Sequence, residues 1–344
     1  MVKKSSKSPA AATAAARSKI KPAGGSSKRK GGKNVKSFWK YFCSSLVTVL
    51  FFWGLHSLAA QFNPAYKTFV DKQFNRLRSA LSQGAENLKP EPTITISTNT
   101  TELRYDNLKM GIPSGRECDV ILDRVGYALG YSELYEQPWW VTYKLTADEV
   151  KSKKAKRSDD FRSDPDIPSG SATPEDYKNS GFDRGHLAPA ADMSFSLQAM
   201  SESFYMSNMS PQYANFNRGI WKDLESKVRD YAVYNKEIYV VTGPVFGTQE
   251  VITIGSSNKI AVPDHYYKVI LDASGSEPKA IGFLLNHRNS KGKLADFVVT
   301  VDAVEAITGL DFFSQLDDDI ESRVESQCDF QQWENTLPVK LRSK

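Results

Sequence analysis

Between Tyr41 and Ala60 the chain runs through twenty residues, YFCSSLVTVLFFWGLHSLAA, without one charged side chain. A surface helix needs a polar face to meet water, and this run has none. Wound as an α-helix, about 20 apolar residues span the hydrocarbon core of a bilayer. The flanks are lopsided: residues 1–40 carry twelve basic residues and no acidic one, whereas the next basic residue is Lys67 and the next acidic one Asp71. The positive-inside rule then puts the N-terminus in the cytoplasm and residues 61–344 across the membrane. Trp39 and Tyr41 suit the interfacial zone, while Trp53 falls inside the span. The expectation is a transmembrane anchor over 41–60, with a signal sequence cleaved near Ser57-Leu58-Ala59 as the alternative.

That arm also rewrites the charge balance. The chain of 344 residues has 45 Lys plus Arg against 40 Asp plus Glu, a net charge of +5 and a pI near 8.8. Beyond Lys40 there remain 33 basic residues against 40 acidic, a net charge of −7. The basic pI therefore does not report a nucleic-acid-binding surface. Residues 1–40, rich in Ser, Ala and Gly and without apolar periodicity, read as a disordered cytoplasmic arm. With 40% hydrophobic and 25% charged residues, the chain is neither wholly disordered nor a multi-span membrane protein. Three cysteines are too few for a disulfide scaffold or a Cys-rich zinc module; Cys118 and Cys328 either pair or remain free thiols.

Residues 61–102 read as a stalk: apolar residues from Tyr66 to Leu81 at helical spacing, a Lys89-Pro90-Glu91-Pro92 break and a polar linker with a glycosylation sequon at Asn99. The folded domain is expected over 103–330, followed by a C-terminal tail at 331–344. DVILDRVGYALGYSEL, PWWVTYKLT, KEIYVVTGPVF, NKIAVP, YYKVILDA and AIGFLLN read as strands, and DAVEAITGLDFFSQL as a helix and turn. Strands and helices do not alternate strictly, which predicts an α+β domain. No P-loop, dinucleotide fingerprint, H-E-x-x-H or C-x-x-C is present, so nucleotide-driven motors, Rossmann dehydrogenases and common zinc hydrolases are disfavoured.

The chemistry concentrates in GFDRGHLAPAADM (181–193) and FYMSNMSPQYANFNRGIWKDLE (204–225). The first sets Asp183, Arg184 and His186 around Gly185. A His with a carboxylate and a guanidinium nearby is equipped for general-base work on a phosphate ester. The same residues also suit a His packed in a turn and bonded to Asp183. In the second, Trp221, Leu224 and Val228 give a helix its apolar side, with Asn217 in the first turn, as a cap or a ligand, and Glu225 about 12 Å of rise further on. An amide and a carboxylate reaching through water form a donor set that hydrated Mg²⁺ accepts. His265 and His287 read as a strand-end residue and a loop residue.

At this point the chain resembles the DNA/RNA non-specific endonuclease family, the endonuclease G-like nucleases, over roughly residues 103–325. The resemblance rests on GFDRGHLAPAADM together with PWWVTYKLT, SNMSPQ, FNRGIWKDLE, VPDHYYKVIL and TGLDFF in the same order. It implies a ββα-metal nuclease fold with a central, mostly antiparallel sheet. It further implies His186 as general base, Asn217 as the direct protein ligand of one Mg²⁺ (Mn²⁺ substituting) and Glu225 as the residue orienting metal-bound water. Asn208 would support the His, and Asp183 and Arg184 would take support and phosphate-side roles, Arg184 being equally suited to a structural ion pair. An upstream arginine, Arg157 with Arg162 as the alternative, would stabilise charge on the phosphate. The implied activity is hydrolysis of DNA and RNA without sequence preference, leaving 5′-phosphates; homodimerisation is frequent in the family, and the sequence carries no mark of an inhibitor protein. The site is then expected on a single-pass membrane protein facing the periplasm or exterior, with secretion or a mitochondrial setting as alternatives. A catalytically weak membrane receptor for DNA uptake is the competing reading.

Overall fold

The computed structural model describes residues 105–342 apart from 248–250, 275–276 and 289. The arm, the anchor and the stalk lie outside the described residues. Among those described, no helix is long and apolar enough to cross a membrane.

Seven strands form one sheet in the order β1 (Val120–Asp123), β2 (Ala128–Ser132), β3 (Gln137–Thr146), β6 (Glu237–Val245), β9 (His265–Asp272), β10 (Lys279–Asn286) and β11 (Val298–Val299). Every pairing in it is antiparallel. Two smaller ladders stand apart: β4 (Asp183–His186) with β5 (Met209–Gln212), and β7 (Thr253–Ile254) with β8 (Ile260–Ala261). The helices are α1 (Ala147–Lys151), α2 (Leu197–Glu202), α3 (Ala214–Asn217), α4 (Ile220–Asn235), α5 (Val301–Thr308), α6 (Asp318–Glu325) and α7 (Phe330–Asn335).

The sheet is buried on both faces, which explains why its central strands read as nearly continuous apolar runs. Strand periodicity of two sends alternate residues to opposite layers. Ile238, Val240, Tyr266 and Ile270 pack with Trp221, Leu224, Val228 and Tyr231 of α4. Tyr239, Val241, Tyr267, Val269 and Leu271 pack with Val301 and Val304 of α5 and Val324 of α6. The domain is thus three-layered, with α4 and the β4–β5 ladder on one side of the sheet and α5 and α6 on the other.

Two sequence expectations change. DVILDRVGYALGYSEL carries two strands, because the chain turns at Arg124–Tyr127 and closes a ladder between β1 and β2. The segment 331–344, read as a tail, is part of the fold up to Arg342. Trp333 of α7 is fully buried, 4.9 Å from the Tyr231 ring, and Leu337 is buried beside it. Two aromatic or aliphatic side chains in a short polar helix carry too little periodicity to register as core. Cys118 and Cys328 are free thiols.

Candidate active site

The DRGH of the sequence motif is β4 itself, paired residue for residue with β5: Asp183 opposite Gln212, Gly185 opposite Ser210, His186 opposite Met209. A Cβ at Gly185 would lie 2.2 Å from the fully buried Gln212 side chain, which any larger residue would have to displace. From β5 the chain enters α3, which ends at Asn217, and Gly219 separates it from α4. Asn217 is therefore not in the first turn of the long helix, as its spacing suggested, but at the end of a short one. A Cβ at Gly219 would meet the Asn215 carbonyl oxygen at 2.4 Å, so this break requires glycine. The β4–β5 pair and the α3–α4 unit together build a ββα frame.

Asp183 fixes the orientation of Asn217. Nδ2 of Asn217 donates to Oδ2 of Asp183 at 2.9 Å, while Arg218 donates to both carboxylate oxygens at 2.8 and 2.6 Å. These contacts hold the Asp183 carboxyl below the ordinary carboxylate range, against the opposing effect of burial. With its NH₂ committed, Asn217 keeps its carbonyl oxygen for another partner. Asp183, Arg184, Asn217 and Arg218 line one wall of a cleft of about 550 Å³, and Arg157, Phe161 and Lys178 line another.

The cations of this cleft are not equivalent. Arg157 pairs with Asp159, Lys178 with Glu175 and Arg218 with Asp183. Among the described residues, Arg184 is the lining cation without an ion pair; its guanidinium lies 4.0 Å over the Phe161 ring. Arg162 does not line the cleft. Its guanidinium donates to Asp160 and to the Ser201 carbonyl and hydroxyl, and stacks 4.0 Å over Tyr205. The charged loop carrying both arginines is anchored further along, where buried Asp164 accepts from Arg124 at 2.6 and 2.7 Å.

His186 lies behind the cleft wall, its ring edge-on to Phe204 at 4.9 Å and to Phe161 at 5.6 Å. The same two rings carry Arg157 and Arg184 on their faces. Burial first, then the charges of Arg157 and Arg184, push the imidazole pKa down to about 3. Its Nε2 is buried without a hydrogen-bond partner among the described residues. The imidazole is therefore neutral, with a ring nitrogen open to a partner in the cleft.

Asn208 does not touch His186 by any hydrogen bond; it holds the strand that carries it. Its side chain accepts from the Ala188 N–H and donates to the carbonyls of Ala188 and Ser203, and its own carbonyl accepts from Leu187. Glu225 of α4 is half-buried among charged neighbours. Burial raises its pKa, while Lys268, Arg229 and Arg157 act in the opposite direction. Asp192, fully buried, accepts from Tyr143 at 3.0 Å and Arg229 at 2.8 Å. Lys268 is fully buried, with its Nζ 4.8 Å over the Trp221 ring and without a hydrogen-bond partner among the described residues. Burial lowers the ammonium pKa, and the Glu225 and Asp192 carboxylates counter that. Arg157 thus acts electrostatically on both His186 and Glu225.

Sequence reasoning missed four of these residues. Arg229 follows Glu225 by one helical turn, and Lys268 is a lone cation inside an apolar strand; both are signals of a buried charge. Asp192 closes the motif without chemistry of its own to mark it. His287 reads as a loop residue, yet its Nε2 accepts the Tyr213 N–H at 2.7 Å and its Nδ1 faces the Pro263 carbonyl at 3.0 Å. Burial pushes its pKa down to about 4, keeping the neutral tautomer this pair of bonds requires. It thereby fixes the residue that launches α3 toward Asn217.

The profile of the DNA/RNA non-specific endonuclease family matches residues 105–319. The chain belongs to that family. Nuclease C1 of Cunninghamella echinulata var. echinulata is 39% identical over 214 residues, covering 57% of this chain and 83% of that one. The mitochondrial nuclease EXOG of Homo sapiens is 35% identical over 207 residues, 56% of each chain, and mitochondrial endonuclease G of Homo sapiens is 32% identical over 216 residues, covering 59% and 72%. The chain thus spans most of the fungal nuclease but just over half of the EXOG proteins. Among solved structures, the EndoG/EndoGI complex, described as showing the mechanism of EndoG inhibition, superposes with a TM-score of 0.57 at 32% identity, covering 62% of this chain and 91% of that one. Membership makes the chain a hydrolase of the endonuclease class, with the α+β, ββα-metal fold of its structural neighbour.

Proposed function

We propose that this chain hydrolyses phosphodiester bonds of DNA and RNA without sequence preference, using a divalent cation, Mg²⁺ or Mn²⁺, and His186 as general base. The observation that carries the reading is the commitment of Asn217 Nδ2 to Asp183, which leaves the amide oxygen as a donor on the cleft wall. One neutral oxygen, with a half-buried carboxylate on the adjoining helix, fits a hard cation that keeps most of its waters. No His, Cys or carboxylate trio accompanies Asn217 among the described residues, which disfavours a zinc cage. When bound, the cation supplies Lewis acidity to a phosphate oxygen.

The protein's own groups cover the remaining needs. His186, neutral and with a free ring nitrogen, accepts the proton of the attacking water. Arg184, unpaired by any carboxylate among the described residues, meets the phosphate, and Arg157 stabilises charge that develops on it. Glu225, held among Lys268, Arg229 and Asp192, orients water through its carboxylate. Phosphate and shape are the features these groups read, and neither encodes base sequence. The products are 5′-phosphates. Metal-dependent nicking of plasmid DNA and RNA by the full-length chain, blocked by EDTA and by His186→Ala, tests the reading; undiminished cleavage by that variant would falsify it.

The basic arm and the apolar run at 41–60 support a membrane-anchored nuclease. EXOG and the Saccharomyces cerevisiae relative are named as mitochondrial nucleases, which supports a mitochondrial setting for it. Alkaline extraction of membranes distinguishes an anchored chain from a released one. The neighbour solved with EndoGI supports an inhibitor protein as a partner.

A further inference from the structure

On the sheet face opposite the cleft, three carboxylates meet without a counter-charge. Asp302 and Glu305 lie three residues apart on α5, so they share a face of that helix. Glu325 is the last residue of α6. One carboxylate oxygen from each lies within 4.8 Å of the others. No Lys or Arg forms an ion pair with any of the three among the described residues. Glu305 is held in place, its Oε1 accepting the Phe312 N–H at 2.8 Å.

Glu325 gives the cluster its meaning. It is 6% exposed, and its Oε1 is buried with no hydrogen-bond partner among the described residues. A carboxylate oxygen that has given up water and gained nothing is costly to keep. Burial, followed by repulsion from Glu305, Glu321, Asp302 and Asp311, pushes its pKa up to about 9, and burial takes Glu305 to about 7. The charges that act most strongly on Glu325 are all negative.

We infer that Asp302, Glu305 and Glu325 form a second divalent-cation site, distinct from the catalytic cleft, that takes a hard ion of the size of Ca²⁺ and clamps α5 to α6. Oxygen ligands of Ca²⁺ lie at about 2.4 Å, so atoms on opposite sides of the ion are about 4.8 Å apart. The trio fits within that span. Carboxylates alone, with no imidazole or thiolate, select a hard ion over a transition metal. Val301 and Val304 of α5 and Val324 of α6 pack on the sheet, so a bound ion ties together the two helices of that layer.

Calorimetric titration of the full-length chain with Ca²⁺ tests this. Glu325→Gln should lose one binding equivalent present in the wild type, or weaken it at least ten-fold. Asn217→Ala should retain that equivalent, which separates this site from the proposed catalytic one. Ca²⁺ should raise the thermal midpoint of the wild type and of Asn217→Ala but not of Glu325→Gln. Without cation, Glu325→Gln should melt no lower than the wild type, because an amide adds no charge to the cluster; if it does not fold, Asp302→Asn at the half-buried position carries the same test. Wild-type stoichiometry and affinity in Glu325→Gln or Asp302→Asn, or a Ca²⁺ response absent from Asn217→Ala, would overturn the site and leave a trio that shares protons.

Discussion

Asp183 Oδ2 accepts a hydrogen bond from Asn217 Nδ2 at 2.9 Å, and this contact decides which end of the amide faces the cleft. Asp183→Asn replaces the acceptor by a group that is half donor and removes the charge holding Arg218. The half-saturating Mg²⁺ concentration for DNA cleavage should rise about 10- to 100-fold, as for other residues that orient metal ligands. An unchanged metal dependence would mean that the amide is oriented by something else.

The two candidate arginines should separate by assay. Arg157→Ala, at the cleft, should lower kcat about 100-fold or more while the thermal midpoint barely moves, since its pair with Asp159 is exposed. Arg162→Ala should lose about 1–3 kcal/mol of stability with the loss of its bonds to Asp160 and Ser201, and its folded fraction should cleave at near the wild-type rate. The reverse pattern would exchange their roles.

His186 links the site to acid stability. Its folded pKa, about 3, lies below the ordinary 6.5, so the unfolded chain binds a proton that the native state refuses. Stability from this group is present above pH 6.5 and declines as pH falls from 6.5 toward 3. His186→Gln should flatten the fall in thermal midpoint over that window; His287, pushed down to about 4, contributes with the same sign and remains in the variant. An equally steep profile in His186→Gln would show that the imidazole is not kept neutral.

Lys268 counters the burial that raises the Glu225 pKa. Lys268→Met removes that help, so Glu225 should titrate at higher pH and the acid limb of kcat/KM against pH should move upward. A lower rate with an unmoved limb would assign Lys268 to packing against Trp221 alone.

Trp333→Ala should cost about 3–5 kcal/mol, measured by chemical denaturation, although the residue touches no part of the cleft. Loss of less than 1 kcal/mol would return this segment to the status of a tail.

The parts legible in the sequence are those whose chemistry is contiguous. Asp183, Arg184 and His186 occupy one four-residue strand, and the nearly continuous apolar runs of KEIYVVTGPV and YYKVILD announce a buried sheet. Asn217 and Glu225 are visible as residues but not in their geometry, because the break between α3 and α4 depends on a close approach at Gly219. Arg157 and Arg162 look alike along the chain, since what separates them is Asp160 and Ser201, the latter 39 residues away. Lys268, Asp192 and His287 act through neighbours brought together by sheet register. Periodicity reports that register only as an apolar face, not as the partner of a particular charge.

The alternation of β9 has a consequence for variation in this chain. Even-numbered positions from Tyr266 to Ile270 meet α4 and the catalytic pocket, whereas odd-numbered ones from Tyr267 to Leu271 meet the layer of α5 and α6. A scan along this one strand should therefore sort by parity: even positions register as altered turnover, odd ones as altered robustness to heat and to chelation. Two traits are interleaved in a single ribbon, each free to drift while its neighbour is held.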